Sequence, residues 1–296
     1  DLSTQSLKVI SISYETGSIF TSHSIQFDVD LPQYKTVGGV HRNDETVTSP
    51  TAMFAHALEL IFTKMKQNQF PFQKVVAISA SGQQHGSVFF NNEAKSVFKS
   101  CIKEYSTGTS DPLEDIVERV LSIKDSPVWM DSSTTKECEL IESAVGSALK
   151  LSQITGSRAY ERYTGAQIAK IAKYSPELYE NTQRIMLISS LIPTLLLGEF
   201  APVDVADASG TLLMPLRAQP PEWSPELVQA TAAPNLIQRL GQNPCLSYSV
   251  LGEVGLRWKV NFGLDAKVVS ASGDNPNSAA GLMMRPGELA VSLGTS

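Results

Sequence analysis

Four stretches of this chain put side chains able to do chemistry beside a turn. The most telling is Lys267-Val268-Val269-Ser270-Ala271-Ser272-Gly273-Asp274-Asn275-Pro276. Lys267 to Ala271 reads as a short buried strand, and Gly273 as the tight turn that breaks it. Asn275 suits a helix cap and Pro276 a first helical position, because proline lacks the N–H that this position leaves unpaired. Asn277 to Met284 then reads as helix. Asp274 is therefore expected at the carboxyl end of a strand, just ahead of a helix N-terminus. Ligands of α/β proteins bind at that edge, and the helix dipole there favours an ionised carboxylate. A lone aspartate in such a place is first of all a cap, so chemistry depends on its company.

That company comes from elsewhere in the chain. Lys74 to Ser79 reads as a buried strand that opens into Ser81-Gly82-Gln83-Gln84-His85-Gly86, and Ser87 to Phe90 returns as another strand. A lone histidine is ordinarily structural; His85, set between glycines and beside two glutamines at a strand end, is a better ligand contact. Asp1-Leu2-Ser3-Thr4-Gln5-Ser6 precedes Leu7 to Ser13, which alternates like a strand. A turn at Glu15-Thr16-Gly17-Ser18 leads to a partner strand from Ile19 to Phe27, and Asp1 is expected at the tip of a preceding hairpin whose first strand is cut away. Small hydroxyl residues at such a tip offer N–H and O–H donors to an anion, although an ordinary polar turn looks the same. Gly287 to Ser296 reads as a strand ending in a like tip at Gly294, Thr295 and Ser296. Two such hairpins are what a duplicated nucleotide-binding fold presents. Finally, Thr155-Gly156-Ser157-Arg158 sets an arginine between glycine turns. Such arginines are normally solvated, but here the guanidinium can reach a hydroxyl or an anion.

The elements that must hold these stretches follow from pattern. Asp28 to Val47 reads as a polar loop. Ser49 then suits a cap and Pro50 a first residue for a helix whose Phe54, Leu58, Ile61 and Met65 form one core face. Asn91 to Asp125 reads as a surface insertion with a helix near Leu113 to Leu121. Pro127 to Met130 is a short apolar run ending in Asp131, with Ser132 or Ser133 capping a helix through Leu140. Helix is expected from Ala166 to Lys173, strand from Ile185 to Ile188 and helix from Leu191 to Leu197. Val205 to Thr211 reads as a small-residue loop, and Pro220 to Gln242 as short helices between prolines.

Composition narrows the function. The 296 residues suffice for one large domain or two small ones. Thirty acids against 24 bases give a net charge of −6, and no basic run exceeds two residues. Nucleic acid is thus not an expected partner. The longest apolar segment, Ile185 to Gly198, is broken by Ser189, Ser190 and Pro193 and falls short of the ~20 residues that span a bilayer, so no membrane partner is expected. Cys101, Cys138 and Cys245 stand far apart, with no CxxC pair. That sparse, odd count fits a reducing compartment and hence the cytoplasm. P-loop, GxGxxG, HExxH and GxSxG motifs are all absent. What is left is phosphate held by hairpin donors, with a carboxylate at a neighbouring strand end. Both chain ends read as cut, so the sequence is expected to be an excerpt of a longer protein.

On these residues the sequence resembles the N-terminal half of an FGGY-family carbohydrate kinase. The motifs are Asp1-Leu2-Ser3-Thr4-Gln5 with Lys8, Ser81 to Val88, Ser272-Gly273-Asp274-Asn275 and Val291 to Ser296. Within that family it is most similar to the eukaryotic xylulose kinases, through Asp30-Leu31-Pro32-Gln33-Tyr34, Gln83 to Gly86, Thr155 to Ala159 and Tyr163 to Ile168. The resemblance implies an α/β fold of the actin/hexokinase-like (ribonuclease H-like) ATPase class, a mixed central sheet flanked by helices. It implies residues 1–290 as the sugar-binding domain and 291–296 as the start of a second one. It implies ATP and Mg²⁺, with D-xylulose as the sugar. It makes Asp274 the catalytic base, and Asn275, His85 and Arg158 sugar contacts. Asp1 becomes the aspartate associated with Mg-ATP. Ser3, Thr4 and Lys8 fall in the first phosphate hairpin, with Gly294, Thr295 and Ser296 in the second. Many bacterial relatives follow the aspartate at position 131 with Gly-Arg; this chain has Ser132-Ser133, so Asp131 receives no role. The competing readings are a kinase of another ketose or polyol (ribulose, xylitol, glycerol), a non-catalytic sugar-binding pseudokinase module, and a structural actin-like protein. Oligomeric state stays open.

Overall fold

The computed structural model describes residues 1–105 and 111–291. Its strands, in chain order, are β1 (Ser6–Ile12), β2 (Ile19–Gln26), β3 (His41–Asn43), β4 (Thr46–Pro50), β5 (Ala77–Ile78), β6 (Ser81–Gly82), β7 (Ser87–Phe90), β8 (Leu121–Ile123), β9 (Asp125–Pro127), β10 (Arg184–Leu187), β11 (Val250–Glu253), β12 (Lys267–Val269) and β13 (Ser272–Gly273). β1 and β2 form an antiparallel hairpin. Leu2 bridges back to Leu7 and, in parallel, across to Gly82. β5 and β6 follow one another along a single path, as do β12 and β13. These two paths run parallel, with Val268 opposite Ile78 and Gly273 opposite Gly82. β11 closes antiparallel on β12. The result is a mixed central sheet. Antiparallel sets β10–β7–β8 and β3–β4–β9 stand beside it.

Helices cover this sheet. In the helix Thr51–Gln67, Phe54, Leu58, Ile61 and Met65 are all buried, as their spacing requires. They join the core shared with Leu113, Ile116, Val117 and Val120 of the helix Leu113–Val120. The helix Ile188–Leu197 is buried on every side and backs the short strands. A methyl on Gly82 would stand 2.7 Å from the Ser189 Cα, so only glycine lets the strand come this close. Trp258 is buried with Phe62 and Phe262 around it, and its indole N–H donates to the Leu195 carbonyl at 2.8 Å. Among the described residues no helix is long and apolar enough to cross a membrane.

Several elements differ from the sequence expectation. Asp28 to Val47 is not a plain loop: it holds β3 and part of β4, a short hairpin that pairs onto β9. Ser49 does not cap the following helix. It lies in β4, its hydroxyl donates to the Gly39 carbonyl at 2.8 Å, and the helix starts at Thr51. The strand expected from Lys74 to Ser79 shrinks to Ala77–Ile78 and is partly exposed, because Phe72–Lys74 winds into a 3-10 turn. Asn91 to Asp125 is more than surface: Phe98, Ile102 and Leu113 to Val120 feed the core. The helix after Asp131 runs Thr135–Val145 with Thr134, not Ser132 or Ser133, at its start. Val205 to Thr211 is helical, capped by Asp204. Residues 287–291 form no strand. The second hairpin tip, Gly294 to Ser296, lies outside the described residues.

Candidate functional site

Three chain segments end side by side at one edge of the central sheet. Leu2, Gly82 and Gly273 are neighbours across adjacent strands. Backbone bonds lock them: Leu2 N–H donates to the Ser81 carbonyl at 2.7 Å, and Gln83 N–H to the Leu2 carbonyl at 2.9 Å. Register then dictates what leaves the sheet at this edge. Asp1 and the Ser3 turn flank Leu2, Gln83 to His85 follow Gly82, and Asp274 and Asn275 follow Gly273. The stretches singled out in the sequence around Asp1, His85 and Asp274 are thus brought together.

Asp274 opens the helix Asp274–Gly281, whose cap is Gly273 rather than Asn275. Pro276 sits third in the helix, where its missing N–H still costs no hydrogen bond. The Asp274 carboxylate accepts from the Asn275 N–H at 2.8 Å. Burial raises its pKa above the ordinary aspartate value, while backbone N–H groups, Gln84's among them, pull the other way. Asn275 uses its side-chain amide to donate to Gln84 Oε1 at 2.9 Å. Gln84 therefore braces both residues, a role the sequence reading did not give it.

His85 has a positive φ of 68°, an unusual conformation for a side-chain-bearing residue, and Gly86 follows because a methyl there would meet Ile188 Cδ1 at 2.4 Å. Its Nδ1 lies 3.1 Å from the Gly210 carbonyl, which can only accept, so Nδ1 carries the proton and Nε2 keeps its lone pair. Burial, with a contribution from Arg162, lowers its pKa to about 4, so the ring is neutral at physiological pH. Tyr163 packs on it with centroids 4.6 Å apart, and Thr164 Oγ1 donates to its carbonyl at 2.9 Å.

Arg158 lies over the Tyr160 ring, which packs against Tyr163. Its guanidinium pairs with Glu142 at 3.5 Å, and its side chain is 59 % exposed. Arg162 lies over the Tyr160 and Tyr163 rings, on the His85 side. At the hairpin, Ser3 Oγ donates to the Asp1 carboxylate at 2.7 Å, and Thr4 Oγ1 accepts from the Trp129 indole at 2.9 Å, which leaves the Thr4 hydroxyl proton available. The tip is packed by Gly39, where a methyl would overlap the Thr4 carbonyl. Lys8 is exposed on β1 beside it.

No group of three or more His, Cys, Asp or Glu side chains suited to a metal occurs among the described residues. A lone Asp1 carboxylate fits Mg²⁺ only in the manner of an ion held chiefly by substrate phosphates and water.

Below Gly273 lie two carboxyls the sequence reading passed over. Asp204 accepts from the Asp207 N–H and from Ser272 Oγ at 2.8 and 2.9 Å, from the Ala206 N–H at 3.2 Å, and from Ser247 Oγ. Asp207 is 1 % exposed. Their spacing of three in a small-residue run was the available signal: an Asp cap followed by an acid in the first turn reads as a helix start. Asp131 is buried and accepts hydrogen bonds from Val47, Ser133 and Gln167.

A profile of the FGGY family of carbohydrate kinases, N-terminal domain, matches residues 118–281. The chain is 44 % identical over 300 residues to the xylulose kinase of Mus musculus, covering 100 % of this chain and 52 % of that one. It is also 44 % identical over 302 residues to xylulose kinase 2 of Arabidopsis thaliana, again with 100 % and 52 % covered. The chain thus spans about half the length of the curated relatives it matches. Among solved structures, the xylulose kinase from Rhodospirillum rubrum superposes with a TM-score of 0.74 over 96 % of this chain and 50 % of that one, at 16 % identity, a likeness of fold alone.

Proposed function

The chain belongs to the FGGY family of carbohydrate kinases, and on that premise we propose that it carries the sugar-binding part of an ATP-dependent xylulose kinase, which converts D-xylulose to D-xylulose 5-phosphate. The observation that carries the reading is the register of Leu2, Gly82 and Gly273, which gathers the Asp1 hairpin, His85 and Asp274 on one edge. Residues 1–290 form the sugar-side domain in this reading and 291–296 begin a second.

Asp274 accepts the proton of the attacking sugar hydroxyl. The hydroxyl oxygen forms a bond to the γ-phosphorus as the bond to the ADP oxygen breaks, so the products are the sugar phosphate, ADP and a protonated Asp274. The transition state is loose, and the carboxylate acts mainly by orienting the hydroxyl and taking its proton late. Its half-buried setting, above the ordinary aspartate pKa, strengthens it as a base. Neutral His85 accepts from a second sugar hydroxyl through Nε2, and Asn275 offers the amide that Gln84 orients. Arg158 reaches the sugar only by leaving Glu142; Arg162 lies nearer. Ser3, Thr4 and Lys8 hold the phosphates in this reading, together with Gly294, Thr295 and Ser296. Asp1 would hold Mg²⁺, which would supply charge neutralisation at the phosphates. A cytoplasmic location accompanies the reading, supported by cysteines that are sparse and free.

The test is a coupled assay of the full-length protein with ATP, Mg²⁺ and a panel of sugars. ADP release with D-xylulose ahead of ribulose, xylitol and glycerol is expected. Release favouring a polyol would replace the substrate, and no release with any of them would favour a pseudokinase module.

A further inference from the structure

Asp207 lies in the run that the sequence presents as a small-residue loop. The kinetic consequences of its position rest on the kinase reading; the structural one does not. Asp207 is enclosed beneath Gly273. One oxygen, Oδ2, is 2.5 Å from Ser189 Oγ. The other, Oδ1, has no hydrogen-bond partner of good geometry among the described residues. A methyl on Gly273 would stand 2.8 Å from Oδ1 and 3.0 Å from Gln84 Nε2, so Asp207, Gln84 and the backbone just before Asp274 share one crowded spot. Gln84 in turn accepts from Asn275 through Oε1.

An ionised carboxylate fits this place badly. A buried anion needs donors on both oxygens, and Oδ1 lacks a well-aligned one. The charged groups bearing on it are acids on two sides: Asp204 at the start of its own helical turn and Asp274 on the helix across Gly273, with no basic group contributing. A neutral acid fits better: with the proton on Oδ2, that oxygen donates to Ser189 Oγ, and Oδ1, now a carbonyl, faces the Gln84 amide. Of Asp207 and Asp274, the one without a well-aligned donor on Oδ1 suits the acid, and the one that accepts from backbone N–H groups suits the anion.

We propose that Asp207 is a positioning residue held as a neutral carboxylic acid, which fixes Gln84, and through it Asn275, and leaves the negative charge of the pair on Asp274. Burial pushes its carboxyl up to about 7, so the neutral form is the one that alkaline pH removes. Ionisation then places a second negative charge beside the base, where the incoming phosphates are also negative.

The test uses the full-length protein. Infrared difference spectra between mildly acidic and alkaline pH are expected to contain a carboxylic-acid C=O band that vanishes on alkalinisation and is missing in Asp207→Asn. Kinetically, kcat with D-xylulose is expected to decline through the neutral range, and in Asp207→Asn, which keeps the shape of the neutral acid, that limb moves up by more than about one pH unit. Asp207→Ala removes the support of Gln84 and raises KM for the sugar about 5–30-fold. An unchanged infrared band in Asp207→Asn, or an alkaline limb and KM unmoved in both variants, overturns the proposal. If no sugar is phosphorylated, the kinase reading fails while the infrared measurement still decides the state of Asp207.

Discussion

Asp131 and Asp274 look alike on paper and differ in the folded molecule. Each ends a short apolar run and is followed by polar residues and a helix. Asp131 is 2 % exposed and fully engaged: Val47 N–H donates at 2.9 Å, Ser133 N–H at 3.0 Å, Ser133 Oγ at 2.5 Å and Gln167 Nε2 at 2.7 Å. It ties the β3–β4 hairpin to the helix Thr164–Tyr174. Asp274 is half-buried and accepts only from nearby backbone N–H groups, those of Asn275 and Gln84 among them, with no side-chain donor on it among the described residues. A carboxylate saturated with protein donors is a brace, with nothing left to offer a substrate. One that is desolvated yet underused can take a proton. The difference lies in the donors, and two of the four on Asp131, from Val47 and Gln167, come from distant parts of the chain.

The sharpest way to break this comparison is to neutralise each acid. Asp274→Asn in the full-length protein is expected to lower kcat about 10²–10⁴-fold, the usual cost of losing a general base. Melting temperature should barely move, since Gly273 rather than Asp274 caps the helix. Asp131→Ala should do the opposite, destabilising the fold by about 3 kcal/mol by leaving buried donors unpaired, with kcat of the folded fraction preserved. Chemical denaturation alongside steady-state kinetics checks both; a common phenotype would erase the distinction.

His85 sharpens it from the sugar side. His85→Ala is expected to raise KM for xylulose about 5–100-fold with a smaller effect on kcat. The same residue couples the site to pH. Its pKa falls from 6.5 to about 4 because it is buried neutral, so the unfolded chain binds the proton first as pH drops. The stabilisation is complete above pH 6.5 and is lost as pH falls towards 4, by up to about 3 kcal/mol. Thermal melts between those pH values should therefore fall less steeply in His85→Ala than in the parent.

Gly273→Ala probes the ground between the two carboxyls of the site. The added methyl meets Gln84 Cγ at 2.6 Å and Asp207 Oδ1 at 2.8 Å. A cost of about 1–3 kcal/mol is expected, together with a loss of kcat as Asp274 shifts. The smallest effect belongs to Arg158→Ala. Its exposed pair with Glu142 contributes under about 1 kcal/mol, and KM should change less than in Arg162→Ala. A larger rise in KM for Arg158→Ala would return Arg158 to the sugar.

How far the sequence alone reached follows the same physics. The core face of Phe54, Leu58, Ile61 and Met65, the β1–β2 hairpin and the strand-end positions of His85 and Asp274 are local patterns, and all appear in the structure. The start of the helix at Asp274, the capping role expected of Ser49 and the helical turn at Asp207 went astray because glycine caps and small-residue turns leave weak local signals. The saturation of Asp131, the pairing of Arg158 with Glu142 and the bracing by Gln84 depend on partners 16 to 191 residues away in sequence. The proton position on His85 likewise depends on Gly210, 125 residues on. No spacing rule reaches such contacts.

The central claim, that the edge formed by Leu2, Gly82 and Gly273 presents Asp274 to a sugar, is tested most directly by a crystal structure of the full-length protein with D-xylulose bound. The account predicts one sugar hydroxyl in hydrogen-bond contact with the Asp274 carboxylate and another against His85 Nε2. A sugar bound away from that edge, or one lying there with Asp274 turned from every hydroxyl, would contradict it.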